Sequence, residues 1–209
     1  RDNVTEFIIN PMLFGFDKFL KDSKKPIIFN IYAYPLDNES IVNQSKRPLL
    51  LNLVLQKDGT YLADKVVANG KIGFGINAFD YDDVSFNRNG VYKVQSFYNG
   101  MPNFGYQFDT YSFDEMRYIN ALIDYPMYKK TQQRIQKLFM KNPYNFSIIK
   151  TNVTNGVIKV VPNLTAQYRI EVSDFFGNLT TVTIPVVNEV LPVIIANEPV
   201  SKYYIRAIN

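Results

Sequence analysis

The chain has 209 residues, of which 46% are hydrophobic and 15% aromatic, enough to fill the core of one large or two modest domains. It contains no cysteine and no histidine, which excludes disulfides, thiolate metal sites, cysteine nucleophiles and the commonest general base. The net charge is +4, and abundant Tyr, Phe, Ile and Val with recurrent Pro and Gly are typical of a mainly β fold.

Residues 1–24 precede the first strand pattern. Asn10-Pro11 opens an apolar turn that ends in Gly15-Phe16, and a group of lysines follows, which indicates a short docking segment. No run reaches the roughly eighteen apolar residues of a membrane span, and no signal segment opens the chain. Because the chain begins with Arg1, we expect a processed product or a fragment with its leader upstream.

Residues 25–111 contain short apolar or alternating runs separated by turn signals, the pattern of β-strands. Asp58-Gly59 and Asn99-Gly100 are dipeptides typical of hairpin turns. Strands at this spacing predict an immunoglobulin-like β-sandwich. The predicted strands cover residues 27–34, 49–55, 71–79, 91–98 and 105–110.

Residues 112–142 change to a period of three and four residues, which predicts a helical connection inserted after the sandwich. Two helices are expected, broken at Pro126, and the second continues through Ile135, Leu138 and Phe139. Ser112 with Glu115 three residues later forms a candidate capping box at the start of the first helix.

Residues 143–190 return to strand patterns and predict a second, small antiparallel β unit. Its strands are expected at 156–161, 166–172 and 179–187, and residues 174–178 form the loop of the last hairpin. About forty residues are few for an independent domain, so this unit is expected to pack on the sandwich. Residues 191–209 predict a strand leading to a further module.

Two local clusters invite a binding interpretation. Asp80, Asp82 and Asp83 offer hard oxygen ligands to calcium, although the spacing lacks the glycine and distal glutamate of a helix–loop–helix calcium site, and a solvated acidic turn is the alternative. The glycines at 70, 73 and 75 resemble a phosphate loop, but a strand follows them where a helix is required. Close backbone approach or a bulge is the favoured explanation.

No catalytic residue is predicted. Asp114 and Glu115 are adjacent acids, but neighbours on a helix point about 100° apart and do not face one substrate. Favourable electrostatics at a helix start explains them better.

A basic block is the most unusual charge feature, because no acidic residue lies between Asp124 and Glu171. Such a block can face an anionic partner such as lipid headgroups, cell-wall carboxylates or an acidic protein, or it can be a solvated basic helix face. Nucleic acid is not expected, since no nucleic-acid-binding motif is present. The candidate surface, called the basic cluster below, comprises Lys129, Lys130, Arg134, Lys137 and Lys141.

Several phrases resemble the region immediately downstream of the catalytic domain in lysostaphin-type (LytM-like) zinc endopeptidases of Gram-negative bacteria. In that family a His-x-His motif is followed by an apolar strand ending in Arg-Asp, and then by a segment ending in Asn-Pro-x-Leu-Phe-Gly-Phe. This chain opens with Arg1-Asp2 and has Asn-Pro-Met-Leu-Phe-Gly-Phe at residues 10–16. The similarity resumes at residues 25–27, 32–36, 73–77, 89–92, 113–125 and 170–178.

The resemblance implies a periplasmic or cell-envelope location, which includes association with the outer membrane, and a parent protein in which β-sandwich modules follow a peptidoglycan peptidase domain. The family's zinc ligands, two histidines and an aspartate, and its catalytic histidine would lie upstream of Arg1, so zinc is expected only there, and residues 1–24 would be the tail of that domain. The chain is therefore expected to be a non-catalytic accessory region that positions the peptidase domain of the same polypeptide. Peptidoglycan or envelope proteins are expected as further partners.

Two alternatives remain open. One is an inactive scaffold or interaction subunit of an outer-membrane or periplasmic assembly, descended from such a peptidase. The other is a carbohydrate-binding sandwich with an aromatic platform such as Tyr203-Tyr204, although core packing or strand pairing is the commoner use of such tyrosines.

Overall fold

The fold is mainly β, with 47% strand and 14% helix, which confirms the predicted class. It was determined as a computed structural model that describes residues 6–84, 87–141 and 145–188. The strands are β1 (Phe7–Ile9), β2 (Ile27–Pro35), β3 (Ile41–Val42), β4 (Leu49–Leu51), β5 (Leu53–Leu55), β6 (Tyr61–Ala63), β7 (Val66–Phe79), β8 (Lys93–Tyr98), β9 (Met101–Gln107), β10 (Thr110–Ser112), β11 (Gln136–Lys137), β12 (Ile149–Thr151), β13 (Ile158–Val160), β14 (Thr165–Ser173) and β15 (Leu179–Val187). The helical segments are 3-10 turns at Pro11–Phe14, Phe16–Phe19 and Phe113–Tyr118, then α1 (Ile119–Leu122) and α2 (Tyr125–Thr131).

Most of the described strands belong to one curled sheet. Its main path runs β12-β9-β8-β14-β15-β7-β2-β4, while β1 and β10 form a separate antiparallel pair. In this path β14 pairs with β8, and β15 pairs in parallel with β6 and with the start of β7. Strands of the predicted small unit therefore share a sheet with strands of the predicted sandwich.

The long strand β7 connects the two halves of the curled sheet. Its start pairs with β15 at Val66, and its second half pairs antiparallel with β2. Between these parts, Gly70 adopts a φ of +77°, a left-handed conformation that side chains disfavour, and a Cβ there would lie 2.6 Å from the Ser40 hydroxyl. Beyond Gly70, the buried ring of Phe74 stacks on Tyr168 with centroids 4.4 Å apart, so the two halves of the sheet enclose one core.

The hairpin and cap predictions are confirmed. Asn99 and Gly100 both have positive φ, of 48° and 81°, between β8 and β9, as a two-residue primed turn requires. Gly59, with φ of 82°, closes the β5–β6 hairpin. The Glu115 carboxylate accepts a hydrogen bond from the Ser112 backbone N–H at 3.4 Å, the reciprocal contact of a capping box.

The second predicted helix is wrong beyond Thr131. Helix α2 ends there because Gln132 takes a left-handed conformation with φ of 59°. Residues 132–141, called the extended segment below, form no helix and bond to β7 at positions 136–138. Its residues Gln136 and Lys137 form β11, opposite Ile76 and Gly75. The apolar spacing that resembled a helix arises because the buried side chains of this segment pack on the sheet.

The glycines beside this segment serve close packing. A Cβ at Gly73 would overlap the buried Phe139 ring, and one at Gly75 would lie 3.0 Å from Ile135. Both glycines lie within β7, in the middle of a strand and at no helix start. The close-approach interpretation of the glycine cluster is confirmed.

Candidate functional site

Three carboxylates meet at one end of the sheet. Asp80 directly follows β7, Asp174 directly follows β14, and Asp22 lies in the segment before β2. One carboxylate oxygen from each lies within 4.8 Å of the other two. Asp80 is 7% exposed and Asp174 4% exposed, whereas Asp22 is half-buried. We call these three residues the carboxylate cluster.

Asn178 fixes two members of the cluster relative to each other. Its backbone N–H donates to Asp174 Oδ1 at 2.8 Å, and its side-chain amide donates to Asp174 Oδ2 at 2.6 Å. The same amide also donates to the backbone carbonyl of Asp22 at 3.0 Å. The hairpin loop between β14 and β15 thereby holds the N-terminal segment against the sheet end.

The charge of the third member, Asp80, is only partly compensated, by a backbone hydrogen bond from Tyr81. Its backbone is secured by paired N–H···O bonds with Asn89, of 3.0 and 2.9 Å, but its Oδ1 atom is buried without a hydrogen-bond partner. Burial raises the pKa of the Asp80 carboxyl to about 6, and the charges of Asp22 and Asp174 contribute to that rise. Burial likewise raises the pKa of Asp22. A buried carboxylate facing other carboxylates is costly unless a cation joins it.

Oxygen donors of this kind suit hard divalent cations. Carboxylates are ligands that Ca²⁺ and Mg²⁺ prefer, whereas softer transition metals favour imidazole and thiolate. The cluster borders a solvent-connected cavity of about 630 Å³, which also contacts Tyr92 and Phe175 and gives water access to the site. The zinc set of two histidines and an aspartate implied by the resemblance has no counterpart, because the chain has no histidine.

Of the calcium candidates named from the sequence, Asp80 belongs to the cluster and the other two lie beside it. Asp82 accepts from the Val84 N–H at 2.9 Å, and Asp83 accepts from the backbone N–H and hydroxyl of Ser23, each at 3.1 Å. The Asp83 contacts tie the loop after β7 to the N-terminal segment. Sequence reasoning misses Asp22 and Asp174 because no local motif links positions so far apart in the chain.

In metal-free protein, we expect the free energy of unfolding to fall between about pH 4 and pH 7 because of Asp80. Its pKa is about 6 when folded against an ordinary 3.8, so the unfolded chain loses this proton first as pH rises. The stabilising contribution of Asp80 is therefore fully present below pH 3.8 and is lost as the pH rises through about 6. Asp80→Asn removes this titration and should stabilise the neutral-pH protein by about 3 kcal/mol at most. Urea unfolding of both proteins with EDTA tests this, and a pH-independent difference between them contradicts it.

A second feature is an exposed aromatic segment, residues 13–19. Asn10 caps the preceding turn by accepting from the Met12 N–H at 3.1 Å, and its side-chain amide donates to the Phe108 carbonyl. Pairing of β1 with β10 adds a second anchor. The segment is thus held in place while its large apolar side chains face outward. These are Leu13, Phe14, Phe16 and Phe19, the last 83% exposed.

The basic cluster is divided between a helix and the extended segment. Lys129 and Lys130 lie in the last turn of α2, whereas Arg134, Lys137 and Lys141 follow it, so a basic helix face is wrong for these three. Burial lowers the pKa of the half-buried Lys137 amine, Asp124 opposes that shift and Lys141 adds to it. The ion pair found among the described residues, Arg169–Glu171, lies outside the cluster.

Glu115, one of the adjacent acids, has a structural role. Besides the cap contact to Ser112, its carboxylate accepts from the Ser147 hydroxyl at 2.7 Å and so links the 3-10 turn to the segment before β12. Asp114 is exposed at the start of that turn.

Comparison with protein-family models, curated proteins and solved structures gave no match for this chain. Among the described residues, no helix combines the length and apolar character needed to cross a bilayer. Tyr203 and Tyr204, the candidate carbohydrate platform, and the predicted strand at 191–209 lie outside the described residues.

Proposed function

We propose that this chain is a non-catalytic accessory region of a peptidoglycan metalloendopeptidase of the periplasm or cell envelope, and that it positions the catalytic domain of the same polypeptide. The observation that carries the proposal is the aromatic segment. Phe14 and Phe19 are 68% and 83% exposed, although the segment that bears them is anchored to the sheet at β1 and at Asn10.

An anchored apolar surface of this kind favours docking. Burying a phenylalanine or leucine contributes roughly 1.5–3 kcal/mol, so the four exposed side chains together offer substantial stabilisation to an interface. Because the backbone is already ordered, docking loses little conformational entropy. The resemblance described above implies a peptidase domain immediately before residue 1, close in the chain to this segment.

We also propose that the curled sheet is an immunoglobulin-like sandwich. The stacking of Phe74 in β7 on Tyr168 in β14 supports two facing layers, since these strands belong to opposite halves of the sheet. A rigid sandwich suits a spacer that sets the distance between a catalytic domain and its substrate.

The basic cluster supports a second candidate, an interaction subunit of an outer-membrane or periplasmic assembly. Its four exposed side chains carry like charges without an ion pair among the described residues, an arrangement that attracts an anionic surface such as peptidoglycan carboxylates or an acidic protein. This candidate requires no active peptidase domain. It predicts co-purification with envelope proteins that weakens as ionic strength rises.

The docking proposal is tested in the longer polypeptide that includes the preceding domain. We expect Phe14→Ser with Phe19→Ser to loosen the association of the two domains, measured by faster hydrogen exchange in residues 6–19 and lower peptidoglycan hydrolysis. Loss of two anchors of about 2 kcal/mol each should weaken docking by more than about a hundredfold.

Val153→Ser is the matched control, because Val153 is 99% exposed on a loop outside the segment. Its hydrogen exchange and hydrolysis should equal those of the parent protein. Unchanged exchange in the double variant would contradict docking through this segment.

A further inference from the structure

We infer that Asp22, Asp80 and Asp174 form a Ca²⁺ site that fastens the segment 20–24 to the ends of β7 and β14. The site is independent of the accessory role proposed above, because it rests on different residues.

The first argument is the state of Asp80. Its Oδ1 atom is buried and receives no hydrogen bond, although the residue is 7% exposed and its carboxyl group faces two other carboxylates. Natural proteins rarely leave a buried polar atom unpaired, and a bound ion is one recognised explanation. The side-chain charges that act most strongly on Asp80 are the negative charges of Asp22 and Asp174. A bound cation would balance these charges.

The second argument is geometric. Carboxylate oxygens no more than 4.8 Å apart can surround one ion whose metal–oxygen distance is about 2.3–2.6 Å. Asp174 is already oriented by two hydrogen bonds from Asn178, and Asp80 by the backbone pairing with Asn89, so two ligands are preorganised. The adjoining cavity admits the waters that complete a coordination shell of six to eight oxygens.

Calcium fits better than magnesium for a chemical reason. Mg²⁺ demands near-ideal octahedral geometry at about 2.0–2.1 Å, whereas Ca²⁺ tolerates irregular oxygen sets. The ligands here come from three separate parts of the chain, and one of them, Asp22, is half-buried in a segment outside the sheet. A tolerant ion suits such a set.

The ion would strengthen a weak attachment of this segment. Without it, the described contacts of residues 22–24 to the sheet end are the Asn178 bond to the Asp22 carbonyl and exposed hydrogen bonds of Ser23 to Asp83 and of Lys24 to the Asp82 carbonyl. Exposed polar contacts contribute little because water competes for them. Calcium would therefore order the segment that leads from the aromatic segment into β2.

Isothermal titration of the EDTA-treated, dialysed 209-residue chain with CaCl₂ tests the site. We expect one saturable site with a Kd of about 10⁻⁴–10⁻³ M, the range of extracellular calcium modules. Asp80→Asn and Asp22→Asn should each weaken Ca²⁺ binding by more than about tenfold. Loss of a residue that only hydrogen-bonds a metal ligand already lowers metal affinity by about that factor, and loss of a charged ligand should lower it further. Asp114→Asn, which removes an exposed carboxylate from the turn at 113–118, should bind as the parent chain does.

Trypsin gives a second readout at the segment itself. Lys21 and Lys24 flank Asp22 and are exposed, so Ca²⁺ at about ten times Kd should slow cleavage there about tenfold in the parent chain and not in Asp80→Asn. Absence of saturable Ca²⁺ binding, equal affinity in Asp80→Asn, or Mg²⁺ binding as tight as Ca²⁺ binding would each overturn the inference.

Discussion

Phe74→Ala is expected to lower the free energy of unfolding by about 3–5 kcal/mol, a large part of the roughly 5–15 kcal/mol typical of a folded domain. Phe74 is fully buried and stacks on Tyr168 across the two halves of the sheet. Truncation therefore removes both the buried ring and the contact that joins the halves, and leaves a cavity between them. Urea unfolding followed by far-UV circular dichroism measures the loss.

Phe19→Ala is the control for residue type. Its ring is 83% exposed, so the stability of the isolated chain should change by less than about 0.5 kcal/mol. Equal losses for the two substitutions would show that the two halves of the sheet do not enclose a common core around Phe74.

Gly73→Ala is expected to cost about 2–3 kcal/mol, although it adds a single methyl group. The added Cβ would overlap the Phe139 ring, which is buried and packs on Tyr34 with ring centroids 5.5 Å apart. Relief requires Phe139 to move and the extended segment 132–141 to shift away from β7. The unfolding midpoint in urea reports the cost.

Two comparisons make this prediction specific. A Cβ at Gly90 would have no heavy atom within 4 Å, and the φ of Gly90 is not positive, so Gly90→Ala should be neutral or stabilise by up to about 1 kcal/mol. In a Phe139→Ala background, Gly73→Ala should cost less than about 1 kcal/mol, because the clash is gone. Additive costs of the two substitutions would contradict direct contact.

The sequence predicts well those elements whose signals are local. Strand β2 is predicted at residues 27–34 and spans Ile27–Pro35, and β15 spans the predicted Leu179–Val187, because both are long apolar or alternating runs. The turn at Asn99-Gly100 follows from backbone conformations that few other residues adopt. These features depend on neighbouring residues only.

Elements that depend on distant contacts are predicted less well. The run at 49–55 is two strands, β4 and β5, because the Asn52 N–H leaves the strand pattern to bond the Asp64 carboxylate at 2.9 Å. The start of β7 escapes prediction because Gly70 interrupts its pattern, yet Val66 pairs with Val186. Ile135 and Leu138 have helical spacing, but the two residues between them pair with β7 and the Leu138 N–H donates to the Phe74 carbonyl, so no helix forms there.

The candidate site shows the same division. The sequence identifies Asp80 as an acidic residue with metal-binding potential, but the partners it suggests are the neighbours Asp82 and Asp83. The structure brings Asp80 together with Asp22 and Asp174. Asp80 lies at the end of β7, Asp174 at the end of β14 and Asp22 in the segment before β2. Such a juxtaposition follows from strand order, which a single sequence does not specify.

The most direct test of the proposed accessory role is the intact mass and zinc content of the polypeptide purified from its native source. The proposal predicts a protein clearly larger than the 24.2 kDa of this chain, with zinc bound in the additional sequence. A stable, zinc-free product of about 24.2 kDa would contradict it.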